Sequence, residues 1–387
     1  MDSSKILELT KEISPWLSKV RRDLHMYPEL GMEEFRTQEK ICEYLDEFKI
    51  PYKKMAKTGV VGEIKVKNPL KTIALRADID ALPILEKNNV SYKSKNIGVM
   101  HACGHDAHTT ILLGVAKILS EKKDELRVNI RFIFQPAEET TGGAEPMIKE
   151  GVLEDVDSIF GLHVSSLIEK GTAEYRYKEM NASSDNIDIE VQGISAHGAY
   201  PGDGVDAIVI TAQLITAMQS LVSRIDARDS AVLTIGKIQG GNAHNIIADS
   251  VKLTGTLRTL DPKVRELVKK KLKVLVETLP IAMGGKGILK IEKGYSSLIN
   301  HDKMVDLIKK NAEKILGVEN VFEKEKPNMG VEDFGYYLEK IPGAFFYLGV
   351  KNTEKKITAS AHNENFDIDE ESLHLGVAIQ ISNILSA

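Results

Sequence analysis

Apolar residues at helical spacing open the chain. Ile6, Leu7, Leu9, Ile13, Trp16, Leu17 and Val20 recur at intervals that predict one amphipathic helix over residues 4–25. A second helix is predicted over 33–48. The period then shortens, and residues 60–66 and 72–77 read as strands, the second running into Asp78-Ile79-Asp80. Ile111, Leu112, Leu113, Val115, Ala116, Ile118 and Leu119 predict a helix over about 105–120. A strand at 128–134 is stopped by Gln135-Pro136, a short helix fits 145–150, and 158–163 reads as a further strand. Strands alternating with helices predict an α/β fold, a central sheet flanked by helices. In such sheets ligands sit outside the carboxyl ends of the strands. Asp78, Glu138, Glu139 and His163 all fall at predicted strand ends.

The middle of the chain follows a different pattern. Strands at 185–192, 231–238, 251–258 and 287–292 surround a helix over 205–225 and another after Asp261-Pro262, an N-cap followed by proline at the first helical position. The order β-α-β-β-α-β is the ferredoxin-like pattern. It predicts an inserted domain at 182–294, with residues 1–181 and 295–387 as two segments of the main domain. At 387 residues the chain exceeds the usual limit for one core, which agrees with two domains. Lysines 269–271 and 273 lie opposite the apolar stripe of the second helix of the insert and are expected to be solvated. After the insert, helices at 304–316 and 332–338, a strand at 344–348, a loop carrying His362 and a closing helix at 369–386 complete the chain.

Composition narrows the function classes. A formal charge of −5 leaves no basic footprint for nucleic acid. No run of 18 apolar residues exists, so no membrane span is expected. Two cysteines, Cys42 and Cys103, make no disulfide framework. With an N-terminus lacking an apolar signal-peptide core, this leads to an expectation of a reduced, cytoplasmic protein.

The densest chemistry is His101-Ala102-Cys103-Gly104-His105-Asp106-Ala107-His108. Sulfur and imidazole nitrogen converge there at a helix start, the ligand set that zinc and similar divalent ions prefer. A cysteine nucleophile with a histidine base is the competing reading of the stretch. Cys103, His105, Glu139, His163 and His362 form a candidate ligand set drawn from a helix start, two strand ends and a late loop. Five side chains exceed one tetrahedral zinc, whereas a bridging thiolate would let them hold two ions. Glu138-Glu139 leaves a buried strand through Pro136, so one carboxylate can bind metal while its neighbour moves protons.

Ordered along the chain, these residues belong to a recognisable set. The set includes Arg22-Asp23-Leu24-His25 with Pro28-Glu29-Leu30-Gly31, Arg76-Ala77-Asp78-Ile79-Asp80-Ala81-Leu82-Pro83, the 101–108 stretch and Gln135-Pro136-Ala137-Glu138-Glu139. It continues with Gly161-Leu162-His163, Ser195-Ala196-His197, Asn245-Ile246-Ile247, Gly255-Thr256-Leu257-Arg258, Gly330-Val331-Glu332-Asp333-Phe334 and Ala361-His362. The chain resembles the zinc-dependent amidohydrolases and exopeptidases that include aminoacylase and carboxypeptidase G. Within that family it is most similar to the branch of hippurate hydrolases, indoleacetyl-amino-acid hydrolases and N-acetyl-diaminopimelate deacetylases.

The resemblance implies a catalytic domain with an inserted lid. It implies two divalent ions on Cys103, His105, Glu139, His163 and His362, with zinc first and manganese, cobalt or nickel as alternatives. Glu138 would be general base and acid, and Asp78 the second catalytic acid. In many relatives that aspartate follows a metal-binding histidine by two; Arg76 holds the position here. His197 would stabilise the oxyanion, in some relatives from the partner subunit, and Asn245 and Arg258 would bind the substrate's carboxylate. The implied reaction is hydrolysis of a small N-acyl amino acid by a protein able to dimerise through its lid. Alternatives are a deacetylase of N-acetyl-diaminopimelate in lysine biosynthesis, a metal-dependent carboxypeptidase, a thiol hydrolase built on Cys103, and a non-catalytic amino-acid-binding protein.

Overall fold

The computed structural model describes all of residues 1–387, which divide into two compact units. Unit 1 comprises Met1–Lys178, Ile299–Lys326 and Asp333–Ala387, and unit 2 comprises Glu179–Leu298 and Pro327–Glu332.

Unit 1 begins with α1 (Ser3–Glu12), α2 (Ser14–Met26) and α3 (Phe35–Glu47). The single helix expected over 4–25 is thus two helices. The sequence carries the reason in Ser14-Pro15: proline has no N–H to donate and sits in the first turn of α2, where none is needed. Strands β1 (Tyr52–Met55), β2 (Gly59–Ile64) and β3 (Thr72–Asp78) precede α4 (His105–Glu121), β4 (Asn129–Gln135), α5 (Ala144–Lys149), β5 (Ser158–Glu169) and β6 (Ala173–Tyr175). The short strand β7 (Lys178–Asn181) leads into unit 2.

Unit 2 runs β8 (Ser183–Gln192), α6 (Ala207–Ser223), β9 (Ala231–Gly240), β10 (Ser250–Thr259), α7 (Pro262–Ala282) and β11 (Lys286–Lys293). Its four strands form an antiparallel sheet in the order β11-β8-β10-β9. Alternate residues Ile187, Ile189 and Val191 of β8 join Leu253 and Leu257 of β10 in a core shared with Ile210 and Leu214 of α6 and with Val268, Leu272 and Val276 of α7. Asp261 caps α7 by accepting from the N–H groups of Lys263 and Val264, with Pro262 next in line.

The chain leaves through β12 (Leu298–Asn300), then adds α8 (Asp302–Leu316), β13 (Val321–Glu323), α9 (Gly335–Leu338), β14 (Gly343–Lys351) and α10 (Glu371–Ser386) to unit 1. The unit 1 sheet is mixed, in the order β1-β2-β4-β3-β5-β14-β6-β13. Its central members β4, β3, β5 and β14 are parallel neighbours, buried along most of their length. Strands covered on both faces read as unbroken apolar runs.

One strand differs from expectation in a way that matters. The strand expected to end at His163 continues to Glu169, so His163 lies in mid-strand. Strand β3 pairs with β5 only from Ser158 to Gly161, whereas β14 accompanies β5 past Ser165. Beyond Gly161, therefore, β5 has a strand neighbour on one side only. His163 still emerges at the carboxyl edge of β3, on the stretch that β3 has vacated.

Candidate metal centre

The turn into α4 is set by Gly104, which has φ +87°. A Cβ there would lie 2.3 Å from Val164 Cγ2, so only glycine permits this approach to β5. The close approach brings Cys103 and His105 to His163. Cys103 Sγ lies 3.4 Å from His163 Nε2. From the exit of β4 comes Glu139, whose Oε1 is 3.1 Å from His362 Nε2 and 3.9 Å from His105 Nε2. His362 itself has φ +64° and donates its N–H to the Ala102 carbonyl at 2.7 Å.

The second nitrogen of each ring decides which atom is available. His105 Nδ1 donates to Asp80, with the backbone oxygen at 3.0 Å and Oδ1 at 3.1 Å. Its Nε2 is buried and has no hydrogen-bond partner. His163 Nδ1 donates to the Val164 carbonyl at 2.7 Å, leaving the Nε2 lone pair toward Cys103. Ligating histidines are oriented in this way by a carbonyl or carboxylate on the far nitrogen. Asp80 also accepts the Glu139 N–H at 2.9 Å, so one carboxylate fixes two of the candidate ligands.

Cys103, His105 and His163 place ligand atoms within 4.8 Å of one another, and so do Cys103, Glu139 and His362. Cys103 is common to both trios, which is the placement a bridging thiolate needs. Glu138, only 7% exposed, offers an oxygen within the same spacing of His105 and Glu139.

Electrostatics favour a cation here. Burial pushes the Cys103 thiol well up, and the Glu139 and Glu138 charges push it further. A thiolate in this setting calls for a positive partner, and without one the sulfur is a poor nucleophile. Burial alone would lower His105, yet Asp78, Asp80 and Glu139 outweigh it and hold the ring at about 10: the surrounding carboxylates favour positive charge, which a bound ion would supply in place of the ring proton. Burial also keeps His163 low, at about 3, and therefore neutral as a ligand must be. The donor set of one sulfur, three imidazoles and a carboxylate suits zinc-like ions.

Asp78 and His108 stand behind this cluster. His108 Nδ1 donates to Asp78 Oδ1 at 2.6 Å, and its Nε2 accepts the Val164 N–H at 2.8 Å. That N–H lies on the stretch of β5 that β3 has vacated, and His108 replaces the missing strand. Both nitrogens are then engaged, so His108 orients the site and is no ligand. Arg76 donates to Asp78 Oδ2 and to Asp333 Oδ1, each at 2.7 Å. Burial would raise the Asp78 carboxyl, but His105, His108 and Arg76 outweigh it and keep it well below the ordinary range.

His197, Asn245 and Arg258 lie in unit 2. The first two meet there: the Gly198 N–H donates to the Asn245 carbonyl at 2.8 Å, and His197 bridges Ile246. Arg258 stands near the far end of β10, roughly 26 Å along the strand from Ser250 at its usual rise. Its guanidinium donates to the Met329 carbonyl at 2.8 Å. The sequence reading passed over Asp80 as a supporting group. The alternation Asp78-Ile79-Asp80 at a strand exit was the available signal, since it puts both acids on one side.

A family model for peptidase family M20/M25/M40 matches residues 74–385. The chain belongs to peptidase family M20/M25/M40. It is 40% identical to the N-acetyl-L-cysteine deacetylase of Bacillus subtilis, over 95% of this chain and 89% of that protein. It is 39% identical to the IAA-amino acid hydrolase ILR1-like 4 of Arabidopsis thaliana, over 98% of this chain and 88% of that one. Among solved structures it resembles the Bacillus subtilis YXEP protein, a dinuclear metal binding peptidase from the M20 family. That match has a TM-score of 0.86 and 33% identity, and covers 97% of this chain and 98% of the other. This M20 member is a hydrolase that acts on amide bonds.

Proposed function

We propose that this M20 hydrolase cleaves N-acyl amino acids to a carboxylic acid and an amino acid, with two divalent ions held by Cys103, His105, Glu139, His163 and His362. The observation that carries the reading is the pair of ligand trios sharing Cys103, set beside a buried Glu138. Zinc is the first candidate, with manganese, cobalt or nickel as alternatives. When bound, such ions supply Lewis-acid polarisation of the amide carbonyl and a more acidic water. Glu138 takes a proton from the attacking water and returns it to the departing amine, so the C–N bond breaks as a C–O bond forms. Asp78 keeps His108 oriented, and through it the β5 backbone that carries His163. His197 is proposed as the donor to the oxyanion, and Asn245 and Arg258 as substrate-binding groups, on the family resemblance; lying toward opposite ends of β10, the last two would not grip one carboxylate from the same chain.

Residues 182–294 are proposed as a ferredoxin-like lid that also forms a homodimer. Support comes from half-exposed Ile208 and Val209 on α6 and from Val232 and Ile238 on the edge strand β9. Apolar residues exposed beside an open strand edge favour pairing with another chain. No helix is long and apolar enough to cross a membrane.

The test is a hydrolysis panel of acetyl-, benzoyl- and indoleacetyl-amino acids and dipeptides, run with metal analysis on wild type and Glu138→Gln. Metal retained with turnover abolished supports the reading. Undiminished turnover in Glu138→Gln would remove Glu138 as the base, and dipeptide cleavage alone would favour the carboxypeptidase alternative.

A further inference from the structure

Glu34 lies between α2 and α3, about a hundred residues before Glu138, and its side chain is fully buried. Both of its oxygens are engaged. Oε1 accepts the Ala137 N–H at 2.8 Å, and Oε2 accepts the Thr58 hydroxyl at 2.6 Å. Ala137 is the residue immediately before Glu138, and its φ is +55°. An alanine rarely adopts the left-handed region, so surrounding groups must hold it there.

The structure shows what holds it. The Ala137 carbonyl accepts the Gly142 N–H at 2.9 Å, and its own N–H is taken by Glu34, so the turn is gripped from both sides. Gly31 belongs to the same clamp. A Cβ there would lie 2.3 Å from Thr140 Oγ1 and 3.0 Å from Ala137 Cα, so the segment carrying Glu34 is pressed directly against the 137–140 turn. Both hydrogen-bond partners of Glu34 are uncharged donors. Burial, with the Asp80 charge adding to it, pushes the carboxyl up to about 7. An acid kept in such a place is costly unless its hydrogen bonds are needed.

We propose that Glu34 is a positioning residue for Glu138: as a hydrogen-bond acceptor it fixes the left-handed turn at Ala137 and thereby the direction from which Glu138 reaches the water and the leaving amine. The proposal rests on the reading of Glu138 as the base. It assigns Glu34 no contact with substrate or metal, and it assigns the effect to the acceptor oxygen and not to the charge.

The experiment compares Glu34→Ala, Glu34→Gln and Thr58→Val in the metal-loaded full chain, with Glu138→Gln as reference. A misplacement near 1 Å costs about a hundredfold in rate, so Glu34→Ala is expected to lower kcat by about 10- to 100-fold while KM stays within about threefold. Metal content should match wild type. Glu34→Gln keeps an acceptor oxygen for the Ala137 N–H and should restore kcat. Thr58→Val loosens the carboxylate without touching the turn and should lower kcat by a smaller factor.

A wild-type kcat in Glu34→Ala overturns the proposal, as does a loss that tracks lost metal, or a Glu34→Gln variant as impaired as Glu34→Ala. If Glu34→Ala does not fold, an unchanged kcat in Thr58→Val overturns it instead. Turnover surviving in Glu138→Gln would refute the base assignment itself. A dead Glu138→Gln beside a fully active Glu34→Ala would refute the positioning role alone.

Discussion

In unit 2 the helices α6 and α7 cover a sheet face of Ile187, Ile189, Val191, Leu253 and Leu257, and the ion pair set at its edge joins Asp185 to Arg265 at 2.8 Å. In unit 1 the same kind of helix-on-sheet packing encloses Arg21, His25, Arg76, Asp78, Asp80, His105, Asp106, His108 and Asp333, all essentially without solvent contact. Burying charge is expensive, and a buried ion pair is weak evidence for stability. Unit 2 shows that this chain can build a core with little of it. The concentration of charge at the carboxyl edge of the unit 1 sheet therefore marks the place where chemistry, and not packing, dictated the residues.

The largest effect expected from this contrast is at Glu138. Glu138→Gln should lower kcat by a factor of about 10²–10⁴, the usual range for a lost general base, with metal content unchanged. Kinetics together with elemental analysis would check it. Next in size is the network behind the candidate ligands. Asp106 accepts from Arg21 Nε at 2.8 Å and from His25 Nδ1 at 2.7 Å. Removing one member leaves buried charge uncompensated, so Asp106→Asn should cost about 3–5 kcal/mol, measurable by urea unfolding.

The pH dependence of that network has a definite sign. Burial would raise the Asp106 carboxyl, but Arg21 and then His25 outweigh it and hold it far below the ordinary carboxylate range. Its folded value is below its unfolded value of about 3.9, so its stabilisation is complete above about pH 4–5 and is lost as the pH falls through the folded value. Wild type should therefore lose stability steeply below about pH 4, and Asp106→Asn should lack that component. Parallel slopes for the two proteins would contradict the assignment.

Much of this site was legible before the fold. Cys103, His105, Glu139 and His362 carry atoms that could hold a metal ion, and each stands beside a local signal, a helix start, a strand exit or a polar loop, whereas the strand end expected at His163 lies six residues further on. What the sequence withheld was the set of partners fixed by distance in space. His108 sits in the same stretch as Cys103, but its role depends on the Val164 N–H, exposed only because β3 stops short of it. Glu34 stands at the start of a predicted helix, but its hold on the Ala137 N–H and its bond from the Thr58 hydroxyl join segments far apart in the chain, and no local pattern shows either. Short strands such as β1, β6 and β13 were missed for a similar reason, since three or four residues cannot display a period and their pairing comes from neighbours.

The remaining predictions probe unit 2, where effects should be structural and small in rate. Arg265→Met alone should cost about 3–5 kcal/mol, and adding Asp185→Leu should recover most of it, with kcat per folded molecule unchanged in both. A rate that falls with the pair would give the unit 2 interior a role the comparison denies it. Smallest of all is Lys270→Ala on the solvated side of α7, expected to shift stability by less than about 0.5 kcal/mol and to leave turnover intact.

The proposed metal centre turns on Cys103 as a shared ligand. Metal stoichiometry of wild type and Cys103→Ala, measured alongside hydrolysis of N-acyl amino acids before and after chelation, tests it most directly. Two divalent ions per wild-type chain, fewer in Cys103→Ala, and turnover lost on chelation and restored by added metal are the expected results. Unchanged stoichiometry in Cys103→Ala, or hydrolysis that survives chelation and is abolished by thiol alkylation, would contradict it.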